Sequence, residues 1–210
     1  MSKQHTDPGV FIIESLEIED ENSPKEGEMI AHSLEMSAVD NRYIYIRTKD
    51  ELIFAVDQFI QSNFRFLHLS CHGKDNAIAT TLHIISHSEL SEVLENKLKY
   101  RRLFLSACST VNTSLAGYLF KTSGCNSIIG PEKAVNMDEV AIFWASFYHL
   151  MFKGNPSAMK KKNIVETLDK LVKLYEIPFV YYRKSTKAPY FKEEKFLVET
   201  QKPSFDDYVG

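Results

Sequence analysis

The sequence predicts an α/β fold, a central and mostly parallel sheet with helices on both faces. Three observations predict it. Short β-branched or aromatic runs alternate with longer segments of helical period along most of the chain. Glycine and proline number only 8 and 7 in 210 residues, too few for a turn-rich all-β sandwich or a low-complexity linker. With 44% hydrophobic and 25% charged residues the composition is that of a globular chain. A chain of this length buries roughly 70% of its unfolded surface and needs no metal or disulfide staple.

The elements follow in order. Candidate strands are Val10–Leu16, Tyr43–Arg47, Arg65–Ser70, Thr81–Ile85, Leu103–Ala107 and Asn126–Gly130. In 49–62, Leu52, Ile53, Val56, Phe59 and Ile60 recur at helical spacing and make one apolar stripe, with Thr48 or Asp50 to cap it. Ser86 or Ser88 opens a short helix over Glu89–Glu95, and a helix over Thr113–Thr122 follows the fifth strand. Met137–Phe152 is apolar nearly all round, which places it centrally. Residues 160–175 form a Lys-studded amphipathic helix with Ile164, Leu168, Leu171 and Val172 inward. Segments 15–28 and 184–195 read as polar loops. In the tail, IPFVYY and KFLVET have strand character and can pair as a hairpin. Residues 1–175 are therefore expected to form the domain, and 176–210 a C-terminal extension packed on it.

Charge is unevenly placed. Residues 1–64 carry 5 basic and 13 acidic side chains, whereas 153–202 carry 12 and 6, within a net charge of −3. These read as solvated faces, because no aromatic-interleaved arginine cluster accompanies the basic end; nucleic acid is not an expected partner. Three cysteines without paired spacing give neither a disulfide framework nor a zinc site, which points to a reducing, cytoplasmic setting. No apolar run approaches the ~18 residues of a membrane span, and no secretion signal opens the chain.

Two strand ends carry chemistry. The third strand runs Phe66-Leu67-His68-Leu69-Ser70 into Cys71-His72-Gly73, and the fifth runs Leu103-Phe104-Leu105 into Ser106-Ala107-Cys108-Ser109-Thr110. In an open parallel sheet, functional groups collect outside the carboxyl ends of adjacent strands. A histidine and a cysteine so placed suit nucleophilic attack on a carbonyl, with the imidazole managing protons and backbone N–H groups holding the oxyanion. Gly73 lets backbone approach a substrate closely and offers its own N–H.

This order, apolar strand, small-Cys-His-Gly, then about 35 residues later apolar strand and Leu-Ser-Ala-Cys-Ser-Thr, resembles the caspase-like cysteine peptidases of the CHAT type, in the group that includes caspases, separases and gingipains. The resemblance continues through Gly124-Cys125-Asn126-Ser127-Ile128-Ile129-Gly130, Val135, Asp138-Glu139 and FWASFYHLMFKG, covering roughly residues 65–160. It implies a three-layer caspase-like fold and a cysteine endopeptidase acting on protein or peptide substrates. In that reading His72 is the general acid and base, Cys108 the nucleophile, and the N–H groups of Gly73 and Cys108 the oxyanion hole. No cofactor is implied. Relatives often carry regulatory helical repeats, absent here, so a separate regulatory protein is the expected partner in a defence or death-type response. Pro131-Glu132-Lys133-Ala134 stands where many relatives have a tryptophan, which implies a changed substrate pocket.

Asp75, Glu132 and Asp138 lie on loops expected to border the crevice, where an acidic group would select arginine or lysine. His-x-x-x-His recurs at His68/His72 and His83/His87, but residues 68 and 72 on one strand face stand about 13 Å apart, too far for one metal ion. No metal site is therefore expected. Cys71 and Cys125 are read as core. The rival reading is a catalytically inactive caspase-like module that uses the same crevice to hold a peptide or a partner protein.

Overall fold

The computed structural model describes residues 6–153 and 159–198. Among the described residues, nine strands and six helices form three layers. The strands are β1 (Asp7–Ser15), β2 (Asn41–Tyr45), β3 (Phe64–Lys74), β4 (Ala77–Ala79), β5 (Ile84–Ser86), β6 (Arg102–Ser106), β7 (Ser127–Pro131), β8 (Phe179–Lys184) and β9 (Phe191–Phe196). The helices are α1 (Glu26–Met36), α2 (Lys49–Ser62), α3 (His87–Val93), α4 (Thr113–Thr122), α5 (Met137–Phe152) and α6 (Lys161–Tyr175).

The sheet runs β2-β1-β3-β6-β7-β8-β9, with its first five strands parallel and β8 and β9 antiparallel. Over most of their length its central strands are apolar on both faces, as parallel strands covered twice tend to be. Phe11, Ile13, Leu67, Leu69, Leu103, Leu105 and Ile128 face the core shared with α2, α3 and α4. Their neighbours Val10, Ile12, Phe66, Phe104 and Ile129 face the core shared with α1, α5 and α6. α5 is the central helix of that second layer: Trp144, Phe147 and Tyr148 close on Phe104 with ring centroids 5.5–5.6 Å apart. Each such aromatic contributes about 1.5–3 kcal/mol by burial alone.

Helix starts follow local chemistry. Thr48 closes a capping box with Glu51, Ser86 one with Glu89, and Asn112 Oδ1 accepts from the N–H groups of Ser114 and Leu115. Three expectations need correction. The polar segment 15–28 is not wholly loop: after a short 3-10 turn (Ile18–Asp20), α1 begins at Glu26. In place of one strand over 81–85, the prolonged end of β3 pairs with β4, and β4 with β5, in a short antiparallel meander. The expected loop 184–195 contains most of β9, so the strand that pairs with β8 is Phe191–Phe196, which shares only Lys195 and Phe196 with the expected KFLVET run. No helix among the described residues is long and apolar enough to cross a membrane.

Candidate functional site

A cavity of about 880 Å³ opens outside the carboxyl ends of β3 and β6, between the β1–α1 loop and the start of α5. His72 and Cys108 both line it, on the two adjacent strand ends where the sequence placed them.

Backbone packing joins the two residues. After β6 the chain turns, with Thr110 N–H donating to Ala107 O at 3.3 Å and Ser109 in the left-handed region (φ 55°). The Thr110 hydroxyl lies 3.0 Å from Lys74 O and 3.2 Å from Ala77 O, and Asn112 Nδ2 donates to Asp75 O at 2.7 Å. The two strand ends are thereby held together. Gly73 sits at the contact, where a Cβ would stand 2.5 Å from Cys108 O and 2.7 Å from Ala107 C. Only a residue without a side chain fits there. The Cys108 N–H makes no hydrogen bond among the described residues.

The Cys108 and His72 side chains face other groups than each other. Cys108 Sγ stands 3.8 Å from Val135 O, on the loop between β7 and α5. His72 Nε2 faces Asp20 Oδ2 at 3.4 Å and has no hydrogen-bond partner. Ligand atoms of Glu17, Asp20 and His72 all lie within 4.8 Å of one another, a set that could hold a divalent cation. The loop bearing Glu17 and Asp20 is tied down by Glu21, which takes an ion pair from Arg47 and a hydrogen bond from Tyr45.

Below His72 and Cys108 lies a polar floor that sequence reasoning missed. Glu14, Ser70 and Ser106 stand in register across β1, β3 and β6 on the face covered by α1 and α5. From the first turn of α1, Glu26 reaches across this row and accepts from Ser70 Oγ at 2.8 Å and from Ser106 Oγ. Glu14 accepts from Gly27 N–H at 2.9 Å and Tyr43 Oη at 2.8 Å. Burial pushes the Glu14 carboxyl up from the usual carboxylate range. One layer deeper, His68 Nδ1 meets Tyr148 Oη at 3.0 Å, while its Nε2 stands 3.7 Å from Glu26 Oε1 without a hydrogen bond. The same alternation that sets His68 and His72 on one face of β3 also sets Ser70 there, and Ser106 on the face of the Cys108 end of β6; it was not carried to these serines.

Of the acids expected at the crevice, Asp138 lines the cavity, in the first turn of α5. Asp75 and Glu132 do not line it: Asp75 offers its backbone carbonyl to Asn112, and Glu132 pairs with Lys195 of β9. Cys71, half-buried, packs against the opposite core but also lines the cavity, whereas Cys125 is fully buried in that core. Burial pushes both of those thiols up to about 12. No protein-family model and no curated protein matches this chain.

Proposed function

We propose that the protein is a cytoplasmic cysteine endopeptidase of the caspase-like CHAT type, cleaving peptide bonds in protein substrates through Cys108 and His72. The observation that carries the proposal is the locking of the β3 and β6 ends at Gly73, which puts His72 and Cys108 on one cavity. In the reaction His72 takes the Cys108 thiol proton, the thiolate attacks the substrate carbonyl, and the oxyanion takes hydrogen bonds from the N–H groups of Gly73 and Cys108. His72 gives a proton to the departing amine as the C–N bond breaks, leaving a thioester on Cys108. It then takes a proton from the water that attacks the thioester and passes it to sulfur as the C–S bond breaks, so the acid product leaves and the thiol is restored. Nothing in these steps needs a cofactor.

A second reading has its own observation. With Cys108 turned to Val135 O and His72 to Asp20, no hydrogen bond joins the pair, as in an inactive module that holds a peptide or partner protein. A peptidyl acyloxymethyl ketone separates these readings. The peptidase is expected to be alkylated at Cys108, with labelling abolished in Cys108→Ala and reduced at least 100-fold in His72→Ala. Equal labelling of wild type and His72→Ala would leave the binding module as the reading.

A further inference from the structure

We infer that the cavity takes a cationic side chain, lysine or arginine, from the residue before the scissile bond, and that Glu26 on its floor selects it. The inference rests on the peptidase reading and names its substrate class. Depth comes first. Ser106 lies two residues before Cys108 and Ser70 two before His72, so the Glu26 carboxylate they hold lies about two strand residues, roughly 6.6 Å, below the dyad. That is about the reach of an extended lysine or arginine side chain from its own backbone.

Charge agrees with depth. Asp20, Glu26 and Asp138 all line the cavity, against one ammonium group, that of Lys25. Lys25 is drawn away: its Nζ donates to Glu21 O at 3.0 Å and lies 5.7 Å from the centre of the Tyr45 ring. Met29, Val140 and Ile142 also line the cavity, and such apolar lining suits an aliphatic stem with a charged tip.

The floor itself lacks a counter-charge. Glu26 is only 4% exposed, and among the described residues its one ion-pair partner is the fully buried His68, whose Nε2 stands too far off to bond and has no other partner. A buried carboxylate without a close cation is costly, and breaking such a pairing costs more than an exposed pair ever returns. A lysine ammonium or arginine guanidinium arriving from the substrate supplies the missing charge, whereas a neutral side chain of equal length leaves it unmet.

The test uses three acyloxymethyl ketones of one peptide sequence that differ only in the residue bearing the ketone: lysine, norleucine or glutamate. Alkylation rates at Cys108 are read by mass spectrometry. Lysine is expected to react roughly 10- to 100-fold faster than norleucine, the worth of one charge-assisted hydrogen bond, and glutamate slowest. In Glu26→Gln the lysine-to-norleucine ratio is expected to fall to within about 3-fold of unity, the norleucine rate of each variant serving as its own reference. Norleucine matching lysine in the wild type, or an unchanged ratio in Glu26→Gln, overturns the proposal. If no ketone alkylates Cys108, the peptidase reading fails. Titration calorimetry of the wild type with butylguanidinium and neutral butylurea then decides the pocket. Binding of the cation at least 10-fold tighter supports it, and equal or no binding overturns it; the same titration serves if Glu26→Gln does not fold.

Discussion

A methyl group added at Gly73 tests whether the two strand ends must touch for the site to work. Gly73 has no left-handed φ, so alanine meets no backbone strain there and the obstacle is space alone. The new Cβ would stand 2.3 Å from Thr110 Oγ1, 2.5 Å from Cys108 O and 2.7 Å from Ala107 C, where ordinary contact begins at 3.4 Å. Two of these atoms are backbone, so the turn carrying Cys108 must move by about 0.9 Å, the gap between 2.5 and 3.4 Å. A displacement near 1 Å at a reacting group costs on the order of 100-fold in rate, while overpacking of this size costs about 1–3 kcal/mol of stability. Gly73→Ala is therefore expected to stay folded in urea titrations and to lose about 100-fold in Cys108 alkylation by a peptidyl ketone. Labelling within 2-fold of wild type, with the variant folded, would refute the reasoning.

Three further outcomes are expected. At Gly117, in the middle of α4, an added Cβ meets nothing within 4 Å, so Gly117→Ala should raise stability by about 0.5–1 kcal/mol in urea titrations without altering Cys108 labelling. Because burial raises the folded-state pKa of Glu14 above its unfolded value, the folded protein binds the extra proton, and its stability falls as pH rises from about 4.5 through the folded pKa. Glu14→Gln removes that loss, so its stability relative to wild type should improve between pH 4.5 and 8 in paired urea titrations; a flat difference would show that Glu14 does not titrate. Iodoacetamide at pH 7.5 should alkylate Cys108 at least 10-fold faster than Cys71 or Cys125, whose thiols are held up to about 12, as peptide mapping can read.

How much of this was legible in the sequence depends on distance along the chain. α2, α4 and α5 are readable to the residue or nearly so, because their apolar spacing and caps are local: Thr48 and Asn112 sit directly before the helices they start. α1 hides for the opposite reason. Its cap position, Lys25, makes no side-chain cap, its second residue is glycine, and only Ile30, Ala31 and Leu34 face the core. The strand ends bearing His72 and Cys108 announce themselves by short motifs within apolar runs. The floor beneath them does not, because Glu14 and Glu26 read as solvated acids until β1, β3 and α1 are assembled around Ser70 and Ser106. Glu132 shows the converse, a loop acid whose partner Lys195 arrives 63 residues later from the last strand.

The late arrival of β8 has a consequence for synthesis on the ribosome. β7 is buried throughout, yet its outer edge is paired only by β8, whose last residue follows the end of β7 by about 50 positions. At about 5–20 residues per second, translation leaves the backbone of Ser127–Pro131 open on that side for roughly 3–10 s. A nascent chain stalled in α5 or α6 presents an apolar strand ready to join another chain. Truncation before Phe179 should therefore yield aggregates rather than a smaller domain, and the antiparallel hairpin that closes the sheet also limits how the chain associates while it is being made.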